Sequence, residues 1–307
     1  MKKNHPKLSV VINTKNAAET LARSIESVQW ADEILVADMH SLDETVKIAR
    51  KYGTKIIELP EYGRVEPEGR NLANQAATGD WLLQLDADEV VPRQLAEMIE
   101  KVVGQADQIQ TYFIPRKNLI FGHWIQHSGW WPDYQPRLFQ KGSLRWVGGV
   151  HSKPQLKGAT EKIEAKEGLA IIHNNYHSIS DYIDRLNRYT SLGATESLEK
   201  SLSADDNYTQ VFSSELCSRY FYHQGWLDGE IGLLLAYLQS FSQLVQLAKT
   251  RELNGKLNQK TKVMQEAELR KLITDLRYWL ADYHVKNETM LMRKLYWRIR
   301  RRVSRYL

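Results

Sequence analysis

An α/β fold, a Rossmann-like and mostly parallel sheet with helices on both faces followed by a helical region, is what this sequence predicts. Three observations predict it. Short apolar runs alternate with segments of helical spacing over residues 8–115. The polar links between them are too short to separate domains. From residue 181 onward the apolar residues recur at helical spacing only.

Each element has its own reason. Residues 8–12 (LSVVI) read as a first strand, closed by the polar turn NTKN at 13–16. Leu21, Ile25 and Val28 give residues 18–28 a helical face. Residues 33–38 are a second strand ending in Asp38; 44–52 is helical, 54–59 a strand and 69–77 helical. Residues 81–86 (WLLQLD) form an apolar run set off by Gly79 and ending in three acids, Asp86, Asp88 and Glu89. A helix is expected over 92–103 and a strand over 111–115. Residues 117–149, rich in Trp, Gly, Pro and His, read as recognition loops. Helices are expected over 181–200, 211–225, 230–253 and, with breaks, 265–307.

The totals bound the class. A chain of 307 residues is long for one core, so a large domain with an appendage is expected. With 42% hydrophobic and 26% charged residues the composition is globular, and nine tryptophans favour stacking surfaces or a membrane interface. Cys217, the only cysteine, excludes an internal disulfide or a cysteine zinc site and suits a reducing compartment as a packed residue. Residues 1–7 are basic, but the apolar run after them spans only five residues, so no secretory signal is expected. The net charge of +5 is unevenly placed: residues 290–307 carry seven basic side chains and no acid. The remainder is left at about −2, so the basicity belongs to a tail.

The acids carry the chemistry. Ligands of open α/β sheets bind where strands end, and two aspartates one residue apart on an extended segment face the same way. Asp86 and Asp88 then form a hard oxygen half-site for Mg²⁺ or Mn²⁺, completed by the phosphates of a substrate. Alternatively they cap the helix that begins near residue 92.

The end of the chain suggests a surface. Residues 231–248 carry no charge, but Gln239, Ser240, Ser242, Gln243 and Gln246 interrupt them. Such a helix lies on a membrane or packs in a bundle and does not span. Leu291, Leu295, Ile299 and Val303 form a stripe beside Tyr296 and Trp297, with arginines around it. A basic amphipathic helix with interfacial aromatics suits an anionic membrane surface. A nucleic-acid patch and a solvated helix are the alternatives, and no recognised nucleic-acid motif accompanies the arginines.

Several stretches, in order and spacing, add a resemblance. They are LSVVINTKN at 8–16, WADEILVAD at 30–38, GRNLA at 69–73, ATGDW at 77–81 and LDADE at 85–89. PDYQPRLF at 132–139, RWVGGVH at 145–151 and DYIDRLNRY at 181–189 continue them. Together the first 60% of the chain resembles the inverting family 2 glycosyltransferases of GT-A fold, closest to the lipopolysaccharide core biosynthesis β-glucosyltransferase group.

The resemblance implies a nucleotide-diphospho-sugar transferase domain at 1–190 and a helical, amphipathic C-terminal region at 191–307 that sits against the inner membrane. It implies that Asp38 accepts the uracil N–H, or else is an ordinary turn aspartate. Thr14 and Asn16 would line the base and ribose, or shape the turn. Arg70 would lie near the diphosphate, its alternative being a surface salt bridge. Asp86 and Asp88 would hold the divalent ion against the diphosphate, with His151 as third ligand or as a packed histidine. Asp133 would be the base that takes the acceptor proton, its carboxyl raised by neighbouring tryptophans, or else an exposed loop residue. Trp130 and Trp131 would be a sugar platform or local core. Two departures stand out: residues 38–44 (DMHSLDE) replace small residues and glycine, and Ser152 replaces an acid.

The expected function is therefore a metal-dependent inverting hexosyltransferase using a UDP-sugar. It would work on a saccharide or lipid-linked acceptor of the cell envelope, in the cytoplasm at the inner membrane face. The alternatives are a polyprenyl-phosphate glycosyltransferase and a non-catalytic, membrane-bound sugar-binding protein. A nucleotidyltransferase would show a glycine-rich basic loop after the first strand, which residues 13–16 are not.

Overall fold

Seven consecutive buried residues make β1 (Leu8–Thr14) a central strand. Its side chains alternate between the two faces, so Val10 and Ile12 enter one core and Val11 the other. The computed structural model describes residues 5–60, 67–105, 108–147, 154–199, 207–255 and 265–304. They divide into two units, Met1–Trp124 with Pro132–Asn175, and Ile125–Trp131 with Tyr176–Leu307. The expected boundary at 190 falls inside a continuous helix, Ile179–Glu199, which belongs wholly to the second unit.

In chain order β1 is followed by α1 (Leu21–Glu26), β2 (Glu33–Asp38), α2 (Thr45–Lys51), β3 (Lys55–Glu58), α3 (Pro67–Ala76) and β4 (Trp81–Asp86). Next come β5 (Glu89–Val90), α4 (Arg93–Gly104), β6 (Ile109–Ile120), β7 (His123–Trp124), β8 (Asp133–Gln140) and β9 (Leu144–Arg145). β10 (Gln155–Leu156), β11 (Ala159–Lys162) and β12 (Ile171–Tyr176) complete the set. The sheet order is β3-β2-β1-β4-β8-β6-β12-β5, its first four strands parallel and β8 antiparallel to both neighbours. One face buries Leu83 and Leu85 with Leu21 and Ile25 of α1 and Leu95 and Ile99 of α4. The other buries Leu35, Leu82 and Phe139 with Ala73 of α3. A Cβ on Gly79 would lie 2.7 Å from the Ser9 amide nitrogen, so only glycine lets β4 start this close to β1.

Residues 133–140 correct the sequence reading, which made loops of all of 117–149. They form a strand whose Pro136, Arg137, Leu138 and Phe139 are buried. Pro136 hides the strand from sequence pattern because it cannot donate to a ladder. It is tolerated opposite Phe113, where the β6–β8 register shifts.

The second unit is helical: α5 (Ile179–Glu199), α6 (Tyr208–Cys217), α7 (Gly229–Leu253), α8 (Gln265–Asn287) and α9 (Leu291–Val303). By length and composition alone, Gly225–Leu253 would be enough to cross a membrane. Here α7 packs against α5 and α6. Gln239 donates to the Tyr182 hydroxyl at 2.9 Å, and Lys249 Nζ reaches the Asn187 carbonyl at 2.8 Å.

Candidate active site

Register decides what stands at the carboxyl edge of the parallel strands. Thr14 pairs with Asp38 and Asn13 with Asp86, so the ends of three neighbouring strands share one edge, where such sheets bind ligands. Thr14 is buried, and among the described residues neither its Oγ1 nor Asn13 Oδ1 has a hydrogen-bond partner. Buried polar atoms are ordinarily paired, so this edge keeps unused bonding capacity. Asp38 is buried and accepts from the Ser41 N–H at 3.0 Å and the Ser41 hydroxyl at 2.5 Å. The Asn16 N–H donates to Ser41 Oγ at 2.8 Å, and Asn16 Oδ1 accepts from the Leu42 N–H at 2.8 Å. Both residues thus order the loop after β2, where the sequence departs from the pattern of the family it resembles. A carboxylate has about four lone-pair positions, so Asp38 retains acceptor capacity.

β4 ends at Asp86; residues 87 and 88 form a turn, closed by the Ala87 N–H on the Asn13 carbonyl at 3.2 Å. The two aspartates therefore do not lie along one extended segment, as the sequence reading assumed. Neither caps α4, whose N-cap is Pro92 without any side-chain bond. Asp86 is held between two arginines, Oδ1 3.2 Å from Arg70 Nη2 and Oδ2 2.6 Å from Arg137 Nη2. Burial alone would raise its carboxyl, but Arg137 and Arg70 outweigh burial and hold it far below the carboxylate range. Arg137 Nη2 also lies 2.5 Å from Glu89 Oε1, and Glu89 Oε2 accepts the Asp86 N–H at 3.0 Å. Burial would lower Arg137, yet Asp86 and Glu89 hold it above its ordinary value. Arg70 is no surface residue: its side chain is 19% exposed and its guanidinium sits 4.9 Å from the Trp146 ring centre.

Asp133 opens β8 and meets Arg116 of the neighbouring β6, which stands opposite it in register. Asp133 Oδ2 accepts from Arg116 Nη2 at 2.6 Å, Arg116 Nε at 2.9 Å and Asn118 Nδ2 at 3.2 Å, and Oδ1 accepts from Gln135 at 2.8 Å. Burial raises its carboxyl, but Arg116 and these hydrogen bonds prevail and hold it below its ordinary 3.8. The expectation that apolar surroundings would raise it is reversed. The sequence reading saw two tryptophans nearby in the chain, whereas the fold supplies a cation from another strand. Trp130 and Trp131 belong to the second unit, where Trp130 packs edge-on against Tyr176 at 6.5 Å.

Asp88 is 24% exposed and lies 3.6 Å from Nε2 of His173, a histidine on β12. Among the described residues no three His, Cys, Asp or Glu side chains are grouped to hold an ion, and His151 lies outside those residues. The donor set still fits a hard cation. Mg²⁺ is commonly held by one or two carboxylates with substrate phosphates completing the shell, and Asp88 is such a carboxylate. Asp86, with both oxygens on arginines, offers charge beside it.

Arg116, Asn118, Arg137, Glu89 and His173 had no role in the sequence reading. One signal was available: an arginine inside the apolar PRLF stretch and a glutamate after two aspartates are costly to bury unless they pair.

Residues 9–155 match the model of the glycosyl transferase family 2. An uncharacterized glycosyltransferase of Rickettsia felis is 29% identical over 261 residues, covering 80% of this chain and 90% of that one. The lipopolysaccharide core biosynthesis glycosyltransferase LpsC of Rhizobium meliloti is 23% identical over 249 residues, 79% of this chain and 91% of that one. A glucosyl-3-phosphoglycerate synthase of Mycobacterium tuberculosis, solved with Mn²⁺, uridine diphosphate and phosphoglyceric acid, is 23% identical. It superposes on 37% of this chain and 43% of its own with a TM-score of 0.31, too partial an overlap to carry an argument.

Proposed function

We propose, from the premise that this chain belongs to glycosyl transferase family 2 and is a glycosyltransferase acting on a nucleotide sugar, a metal-dependent inverting reaction. It moves a hexose from a UDP-sugar to a saccharide or lipid-linked acceptor of the cell envelope. The observation that carries this reading is the acidic edge: Asp86 neutralised by Arg70 and the buried Arg137, with the partly exposed Asp88 two residues on.

The residues divide the work by chemistry. Asp38 accepts the uracil N–H, and Thr14, Asn13 and Asn16 line the base and ribose with the polar atoms at the ends of β1 and β2. Arg70 offsets diphosphate charge, and Asp88 would hold a divalent ion, Mg²⁺ or Mn²⁺. That ion would supply Lewis-acid stabilisation of the leaving group. His151 remains a proposed ligand on the family pattern. Asp133, ionised at neutral pH, takes the acceptor hydroxyl proton as the hydroxyl attacks the anomeric carbon.

UDP release and sugar transfer from a panel of UDP-sugars test the proposal. Both are expected to need Mn²⁺ or Mg²⁺, and Asp88→Ala to cost about 10²–10³-fold in kcat. Full activity in a chelator, with Asp88→Ala unaffected, overturns metal dependence.

One observation favours a second reading of the acceptor. A carboxylate clamped by Arg116 is a weak base, and a polyprenyl phosphate acceptor needs no strong one. Asp133→Asn would then spare transfer to the phosphate, whereas it nearly abolishes transfer to a hydroxyl.

We place the enzyme at the inner face of the cytoplasmic membrane. Support comes from α9, whose Leu291, Leu295, Ile299 and Val303 are 77%, 49%, 57% and 43% exposed. Its opposite face packs on α8 through Trp297, stacked 4.1 Å from His284, and Arg301, 2.6 Å from Asp282.

A further inference from the structure

His173 is 7% exposed and contributes to none of the steps above. Backbone register fixes where it stands. β12 runs antiparallel to β5 with His173 opposite Glu89, and the Asn174 N–H donates to the Asp88 carbonyl at 3.1 Å. The ring therefore lies beside Asp88 as a consequence of sheet pairing.

Its two nitrogens have different partners. Nδ1 is 2.7 Å from Asn118 Oδ1, and Nε2 is 3.6 Å from Asp88 Oδ2. Which way the Asn118 amide points is settled by its other neighbour. Asn118 Nδ2 lies 3.2 Å from Asp133 Oδ2, and an ionised carboxylate accepts only, so the NH₂ must face Asp133. The amide oxygen then faces His173, and an oxygen can only accept, so Nδ1 carries a hydrogen. With that as the ring's single N–H, Nε2 presents a lone pair toward the Asp88 carboxylate. Two acceptors aimed at each other repel unless something positive lies between them. A separation of 3.6 Å is too long for a hydrogen bond. It is below the limit of about 4.2 Å for two donors that each sit about 2.1 Å from one ion.

We propose that Asn118 is a positioning residue that locks His173 in the Nδ1–H tautomer, so that Nε2 and Asp88 together ligate the divalent cation. This rests on the metal-dependent reading above and gives it a ligand from β12, a strand the acidic motif does not contain. It also joins the two ends of the site, because the residue that orients His173 is itself oriented by Asp133.

The test uses the full chain labelled with ¹⁵N-histidine. Two-bond proton–nitrogen correlations, with the His173 signals identified by their loss in His173→Gln, report the tautomer directly. The expected wild-type pattern is a protonated Nδ1 and a bare Nε2 that Mn²⁺ broadens first. Mn²⁺ affinity, read from the electron paramagnetic resonance of the free ion, is expected to fall about 10–100-fold in Asn118→Leu, as outer-shell losses generally do. UDP affinity without metal serves as the check that this variant is folded. A wild-type ring protonated at Nε2 overturns the proposal without any variant being made. So does unchanged Mn²⁺ affinity in both Asn118→Leu and His173→Gln. A wild-type chain that binds UDP but not Mn²⁺ overturns it while the nucleotide reading stands; one that binds neither overturns both.

Discussion

Asp133 illustrates how one neighbour sets a residue's chemistry. Its carboxyl is held below 3.8 by Arg116 and by hydrogen bonds from Asn118 and Gln135, despite burial. A base works in its ionised form, so the acid limb of kcat/KM due to Asp133 is expected below pH 4. A limb near pH 6 that vanishes in Asp133→Asn would contradict that assignment. The same shift bears on stability. A depressed carboxyl favours the folded state above its unfolded value, and this contribution is lost as pH falls below about 4. Arg137 is the stricter case, since it bridges Asp86 and Glu89 with a side chain only 4% exposed. Removing it leaves the fully buried Glu89 with the longer contact to Arg116 Nη1 at 3.3 Å, so Arg137→Met is expected to cost about 3 kcal/mol in urea unfolding. A loss under 1 kcal/mol would mean that Arg116 alone is enough to hold Glu89.

At the level of elements, β8 and α9 are the informative pair. β8 delivers Asp133 and Arg137 four residues apart, one at the strand's mouth and one in the buried charge cluster. Neither position follows from the loop-like texture of its sequence; pairing with β4 and β6 makes it a strand. α9 shows the reverse, since its i, i+4 stripe was visible at once and stays exposed in the fold. The face turned to α8 carries Lys294, Trp297, Arg301 and Ser304, mixed in character, while the apolar stripe faces outward. The double variant Leu295→Glu, Ile299→Glu is expected to remain folded and to lose cosedimentation with anionic vesicles. Unchanged sedimentation would remove α9 from the membrane reading. Cys217, at the end of α6, is packed as its solitude suggested, and burial pushes its thiol up to about 12.

Charge is the property that belongs to the whole chain. The seven basic residues after 290 follow an otherwise slightly acidic chain, so the charge that would attract anionic lipid is concentrated at one end. Vesicle binding is expected to weaken steeply between about 0.1 M and 1 M salt, as the screening length falls from about 10 Å to 3 Å. Binding that persists undiminished at 1 M salt would assign it to apolar contact alone.

What the sequence by itself determined is whatever depends on local pattern. Strand–helix alternation set the order β1 to α4, the acids after Leu85 marked the carboxyl edge of the parallel strands, and a 3.6-residue period exposed the helical end. Ordered motifs then gave the resemblance to a family, because motif spacing survives when most side chains change. Only the tertiary structure decided which charges meet. Arg137 reaches Asp86 from 51 positions away and Asn118 reaches His173 from 55, through strands that pair across the sheet. Such partnerships leave no periodic trace, since each follows from register between distant strands and from the cost of burying an unpaired charge. That is why the acids were legible at once, and why the arginines, amide and imidazole that govern them were not.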